Sequence, residues 1–234
     1  LNFLSKLQQV ELPDLSRRER KKRETRARLL AAAGQLFAER GVDAVPIKEI
    51  TDTADVGFGS FYNYFESKEA LYDALVDELY EEFGTALDRL TRDIEDPAEV
   101  LATSVRLTLR RARRDPQWGR LLLLEAQKIS GATRGLGPRL LRDIRAGIST
   151  GRFTAPDPMM SFVVVGYGAL GGIATQIQAA TDSTMLAAIG ISAEALAERN
   201  AAALLHALGL DFAEAQRVAN SPLPEMTGAF EAFE

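Results

Sequence analysis

The tightest constraint on the fold lies between Ile47 and Leu75, in the stretch IKEITDTADVGFGSFYNYFESKEALYDAL. Ile47, Ile50 and Ala54 repeat at helical spacing over only two turns. Asp55 follows where the chain must bend back, and Asp accepts the left-handed conformation better than most non-glycine residues. Val56 is placed to plug a small core. In the expected second helix, 58–65, Phe61 and Phe65 are four apart and share an inward face, which turns Phe58, Ser60, Tyr62, Asn63 and Tyr64 partly or wholly outward. Ser67 is a natural N-cap for a third, longer helix that opens with Lys68 and Glu69. Upstream, Thr25–Arg40 carries Leu29, Leu30, Ala33, Leu36 and Phe37 on one face, and Gly41 stops that helix.

A short helix that exposes so many aromatic and polar groups is a poor packing element. It suits a DNA major groove, where Ser60 and Asn63 can hydrogen-bond base edges or phosphates and Phe58 can meet a thymine methyl. Lys68, at a helix start, would meet a phosphate. Any three-helix packing unit shows similar periodicities, so a purely structural role stands beside the helix-turn-helix reading.

The segment resembles the N-terminal DNA-binding domain of the tetracycline-repressor (TetR) family of bacterial transcriptional regulators. Tyr62, Phe65 and Lys68 match the family's Tyr-x-x-Phe-x-x-Lys signature, and Ile50 and Val56 match its core positions in the second helix and the turn. The resemblance implies that Tyr62 and Lys68 grip the DNA backbone and that Lys48 is a further contact. It also implies that Phe58, Gly59 and Ser60 lie at the base-facing start of the reading helix, with Asn63 and Tyr64 alongside. Three positions depart from the pattern: Pro46 replaces a capping Thr, Asp55 a turn Gly, and Gly57 a capping Ser. Pro at a helix start and Gly at a cap are chemically acceptable, so the departures bear on hydroxyl–phosphate contacts rather than on the fold. The match is dense over 25–79 and diffuse beyond.

The net charge of −5 argues against a nucleic-acid partner until its distribution is read. Between Ser16 and Arg28 stand Arg17, Arg18, Arg20, Lys21, Lys22, Arg23, Arg26 and Arg28 against only Glu19 and Glu24, a local excess of +6. Leading into a helix-turn-helix, this run is placed to follow phosphates or to enter a minor groove as an arm, and Arg23 and Arg26 are its candidate contacts. The alternative is that the run is a solvated extension of the helix it leads into. With no cysteine, disulfides, thiolate metal sites and cysteine nucleophiles are excluded. The sequence shows no apolar run of membrane-spanning length and no signal peptide, so a cytoplasmic location follows by default. The missing initiator Met suggests a start inside a longer reading frame.

Past Lys68, glycine and proline punctuate further helices: one from Lys68 to before Asp96-Pro97, then 98–114, 117–129, 138–150, 159–180 and 192–208, with a short one over 211–219. No segment alternates as a strand would, so the class is all-α. The resemblance implies an N-terminal helix-turn-helix three-helix domain and a larger C-terminal helical ligand-binding and dimerisation domain. The expected divisions are a basic extension at 1–24, the helix-turn-helix domain at 25–70, the second domain at 71–220 and a loose tail at 221–234. GATRGLG, 131–137, reads as a flexible loop.

Gly166-x-Gly168-x-x-Gly171 spells a dinucleotide-binding fingerprint, but no βαβ context surrounds it. Small residues at these spacings instead let two backbones approach closely. A cofactor-binding helical enzyme using Gly166–Gly172 is the rival reading. No nucleophile–base pair, carboxylate dyad or metal cluster supports it, and no cofactor is expected. The resemblance implies a homodimer through the helices at 159–180 and 192–208, a near-palindromic duplex operator and a small-molecule effector. The composition suggests an apolar or amphipathic one. Phe83, Leu107, Trp118 and Leu122 are expected to line its cavity, with Tyr167 and Gln176 as polar anchors. His206, the only histidine, is assigned a structural role.

Overall fold

The computed structural model describes residues 16–126, 135–181, 184–188, 190–192 and 194–225. The chain divides after Leu79 into two compact units. Among the described residues every regular element is a helix, the all-α class that the spacing predicts.

In the first unit α1 spans Arg17–Arg40, α2 Ile47–Thr53 and α3 Phe58–Phe61, and α4, Lys68–Leu90, begins there. α1 starts well before Thr25 because Ser16 and Glu19 form a capping box: the Glu19 N–H donates to the Ser16 hydroxyl, and the Ser16 N–H donates to the Glu19 carboxylate at 3.0 Å. The basic run from Arg17 is therefore the first turns of a helix, as in the helix-extension alternative, rather than a separate arm. Gly41 ends α1 with a φ of +80°. Leu29, Leu30, Ala33 and Phe37 pack inward with Val45, Ile50, Phe61, Phe65, Leu71, Tyr72 and Leu75. The Phe37 and Tyr72 rings lie 5.8 Å apart, and those of Phe61 and Phe65 5.9 Å. Asp55 takes the left-handed conformation, φ +52°.

α3 is shorter than the expected 58–65. After Phe61 the chain tightens into a turn in which the Asn63 and Tyr64 N–H groups donate to the Ser60 and Phe61 carbonyls. Gly57 and Gly59 weaken the helical preference locally, and the i→i+3 bonds complete the segment instead.

The second unit holds the remainder of α4, then α5 Pro97–Arg114, α6 Pro116–Ala126, α7 Gly137–Ser149, α8 Pro158–Thr181, α9 Thr184–Ala188, α10 Leu196–Ala207 and α11 Phe212–Ala219. α9 was not foreseen, and α10 starts at Leu196 rather than at 192. Much of the 131–137 loop and of the 221–234 tail lies outside the described residues, as does the end of the helix expected to reach 129. α8 packs against α5, α6, α7 and α10. Gly168 and Gly172 allow this approach. A Cβ at Gly168 would lie 2.5 Å from Leu204 of α10, and one at Gly172 would lie 2.8 Å from Asn200 and 2.9 Å from Leu109. The Asn200 amide fastens the crossing by donating to the Gly168 carbonyl at 3.0 Å.

Length and composition do make Pro158–Ala180 long and apolar enough to cross a membrane, contrary to the expectation from the sequence. It is buried against four neighbouring helices on one side, with one apolar strip turned outward. The fingerprint glycines sit in the middle of this helix, not after a strand, which removes the structural basis of the cofactor reading.

Candidate nucleic-acid interface and cavity

The first unit presents one concentrated outward surface, on α3 and the turn after it. Phe58 and Tyr62 are 50% and 53% exposed, and their rings meet edge to face at 6.0 Å. Buried Phe61 fixes their base, with the Tyr62 ring 5.3 Å from its own. Gly59 and Asn63 are exposed, and Ser60 and Tyr64 are half-buried. A Cβ on Gly59 would meet nothing within 4 Å, so this stretch of backbone is open to an approaching surface. Lys48, on α2, is exposed and paired with Asp52 at 2.6 Å. Arg23 is exposed on the first turns of α1.

Two of the expected contacts are occupied within the unit. The Lys68 ammonium donates to the carbonyls of Val42 at 2.7 Å, Val45 at 3.1 Å and Asp43 at 3.3 Å. An ammonium has three N–H donors, so its directional capacity is spent holding the α1–α2 loop to the start of α4. Arg26 pairs with Glu78 and lies over the Phe65 ring, 5.4 Å from its centroid. Ser67 caps α4 as expected, its hydroxyl accepting from the Ala70 N–H at 3.1 Å.

The second unit encloses a cavity of about 360 Å³. Leu101, Ser104, Val105 and Thr108 reach it from one face of α5, at the helical spacing that brings i, i+3, i+4 and i+7 together. Leu140 of α7 and Gly166, Leu170 and Ile173 of α8 add apolar walls, while Asp88, Glu125 and Arg139 bring charge to its edge. Of the six expected lining residues, Leu122 and Tyr167 are there. Phe83, Leu107, Trp118 and Gln176 are not; all four are buried elsewhere. Trp118 is the centre of an aromatic core, its ring 5.0 Å from Phe83 and 5.4 Å from Tyr80, with the Arg111 guanidinium 5.8 Å from its centroid. Leu107 points off the α5 face that carries Val105 and Thr108.

An ion-pair network at the cavity edge went unseen in the sequence. Arg139 Nε donates to Asp88 at 2.8 Å, and its two terminal nitrogens grip Glu81 at 2.8 and 3.1 Å. Arg142 reaches Asp88 and Asp143, each at 2.8 Å. Burial alone would raise the Asp88 pKa, but hydrogen bonds from Arg139 and Arg142 hold it below the ordinary carboxylate value. At Asp143 burial prevails and the pKa is raised, in spite of Arg142. Gly84 makes room for the cluster, since a Cβ there would lie 2.6 Å from the Arg139 guanidinium carbon. A glycine inside a helix, flanked by Glu81 and Asp88 on one face, is the signal that could have revealed it. His206 is structural: its Nδ1 lies 2.7 Å from the Leu210 carbonyl.

A small helical unit with an exposed aromatic and polar turn, followed by a helical unit with a cavity, makes up a two-unit all-helical protein. Residues 29–75 match the family model described as bacterial regulatory proteins, tetR family, and residues 96–221 match the tetracyclin repressor-like C-terminal domain. The chain belongs to the TetR family of transcriptional regulators. It is 37% identical to RolR, solved in complex with resorcinol, over 89% of this chain and 100% of that one, with a TM-score of 0.64. The HTH-type transcriptional repressor NemR of Escherichia coli K12 is 39% identical over 72 residues, which is 31% of this chain and 36% of that protein. An uncharacterised HTH-type regulator of Mycobacterium tuberculosis is 35% identical over 89 residues, or 38% and 44%. The chain thus spans less than half the length of these curated relatives.

Proposed function

We propose that this chain is a ligand-responsive, sequence-specific regulator that represses transcription in its ligand-free state, reading duplex DNA through Phe58–Asn63 as a homodimer. The observation that carries this reading is the exposed Phe58–Tyr62 edge built on buried Phe61 and Phe65. Ser60, Asn63 and Tyr64 supply hydrogen-bonding groups beside it, and Lys48 and Arg23 contribute positive charge toward phosphates. Tyr62 combines a stacking ring with a hydroxyl able to meet a phosphate. Lys68 acts in this scheme through the loop it ties down, with its charge a background term. Two copies paired through the exposed faces of α8 and the 192–208 segment would set two reading segments about 34–36 Å apart, matching a near-palindromic operator.

The cavity fits a small amphipathic effector, with apolar walls from α5, α7 and α8 and polar groups gathered at Asp88, Arg139, Ser104 and Thr108. The resorcinol bound by RolR has this character: a flat apolar ring with two hydroxyls. A hydroxylated aromatic would donate to Asp88 and accept from Arg139. By competing for those groups it would loosen the ties between α4 and α7. To empty an operator, the effector must favour the non-binding conformer by roughly 3–5 kcal/mol.

The test is a gel shift with the duplex upstream of the protein's own coding sequence, run with and without resorcinol and with single-stranded competitor. A shift resistant to single strands and reversed by resorcinol is expected. Failure to shift any duplex fragment from the locus would refute the DNA reading; a shift that ignores resorcinol would refute only the choice of effector class.

A further inference from the structure

Among the described residues Arg139 is the one cation that lines the cavity, and its donors are nearly all committed. Of the five N–H groups of a guanidinium, that on Nε goes to Asp88 at 2.8 Å. The two terminal nitrogens donate to the Glu81 carboxylate at 3.1 and 2.8 Å, and one of them also reaches the Thr85 hydroxyl at 3.4 Å. Within the described residues one N–H is left. That is enough for a single hydroxyl oxygen. A carboxylate is held well by two parallel donors, and that fork already belongs to Glu81. Glu81 does not itself line the cavity. It stands two turns from Asp88 on the same face of α4, and the hydrogen bonds from Arg139 lower its pKa, which keeps it ionised. The cluster as a whole leans negative: Glu81, Asp88 and Asp143 outnumber Arg139 and Arg142, and Arg142 lies off the cavity wall.

We infer that Glu81 sets the charge the cavity accepts: by holding the fork of Arg139 it closes this cation to anions, so the site takes neutral hydroxylated aromatics and turns away aromatic carboxylates. The inference rests on the effector reading above and adds its charge class. An entering carboxylate would have to displace Glu81 from both terminal nitrogens while lying beside the ionised Asp88. Glu81 is tethered to the same helix as Asp88, so it competes at a high local concentration that a dilute ligand lacks. Without that displacement the ligand's charge would lose its water and gain no partner, an unfavourable exchange behind apolar walls. A hydroxyl avoids both demands, since it can donate to Asp88 and accept the remaining N–H.

Isothermal titration of the full chain near neutral pH with 3-hydroxybenzamide and 3-hydroxybenzoate compares nearly one shape in neutral and anionic form, with resorcinol as the reference ligand. The parent is expected to bind the acid about 100-fold more weakly than the amide. Glu81→Gln removes one charge and half of the fork, and should cut that ratio about tenfold, the worth of one charge-assisted hydrogen bond. Glu81→Ala frees both terminal nitrogens and should cut it at least as far. Glu81 is largely exposed, so either change disturbs little packing, and the second serves if the first fails to fold as judged by circular dichroism. A purely structural role for Glu81 would weaken acid and amide alike and leave the ratio where it was. Should the cavity not take the amide, resorcinol replaces it in the ratio. A parent that binds the acid as tightly as the neutral ligand overturns the inference, and so does a ratio that neither variant moves; with resorcinol bound, both results leave the effector reading standing. If the parent binds neither resorcinol nor the amide, the effector reading falls and the inference with it.

Discussion

Replacing Lys68 by Met separates a DNA contact from a positioning role. The substitution keeps an unbranched apolar stem and removes the ammonium, with its donations to Val42 at 2.7 Å, Val45 at 3.1 Å and Asp43 at 3.3 Å. A hydrogen bond from a charged donor contributes about 1.5–3 kcal/mol net. Asp43 is exposed and its carbonyl can return to water, so the loss falls mainly on the two part-buried carbonyls. Partial rehydration of those two puts the net cost near the lower end, about 2–3 kcal/mol in all. Amide exchange monitored over residues 45–50 should then accelerate about 30- to 150-fold. Duplex binding, followed by fluorescence anisotropy from low to high salt, should weaken alike on every sequence, because the loop that carries α2 has loosened. The slope of log affinity against log salt should stay unchanged, since Lys68 releases no phosphate counterion. A slope that falls by about 0.9, with exchange across the loop unaltered, would show instead that Lys68 touches a phosphate directly.

Phe58→Ala and Ser60→Ala should each cost about 1–3 kcal/mol at particular base pairs of an operator library; uniform loss on all sequences would contradict base reading by α3. Gly172→Ala should lower the melting temperature, because strain of about 1–3 kcal/mol against Asn200 and Leu109 outweighs the helical gain of about 1 kcal/mol. A rise in melting temperature would mean that the α8–α10 crossing yields freely. Hydrogen bonds from Arg217 and Arg152 hold the Glu214 pKa at about 2, against an ordinary value of 4.5. A depressed carboxylate stabilises the fold above its unfolded pKa and loses that contribution as pH falls through its folded one. Melts between pH 7 and pH 2 should therefore converge for the parent and Glu214→Gln as pH drops from about 4.5 toward 2; a constant gap would dismiss the pairing. Arg139→Gln should lower stability by about 1–2 kcal/mol, modest because Glu81 is largely exposed.

Glycine and proline made most of the second unit legible, since each acts on the backbone it occupies. Gly41 and Gly151 take positive φ at helix ends, and Pro97, Pro116 and Pro158 open helices. The left-handed Asp55 and the inward pair Phe61 and Phe65 were likewise local properties, readable from spacing. What stayed hidden depends on partners distant in the chain. No spacing rule says that Trp118 meets Phe83 and Tyr80 instead of a ligand, or that Arg139 returns to Glu81 and Asp88 across more than fifty residues. Lys68 shows the same limit: its place in the signature was plain, but not the three carbonyls around its ammonium. The helical start of the basic run was nearer to hand, because Ser16 and Glu19 spell a capping box.

The absence of any ionisable side chain other than Tyr167 along α8 reaches beyond the architecture. A subunit that leaves such a helix wet exposes apolar surface that pairing would remove from water. While the chain is dilute, the number of pairs grows as the square of its concentration. Occupancy of a two-fold operator would then rise steeply with expression, giving the gene a threshold that owes nothing to the ligand.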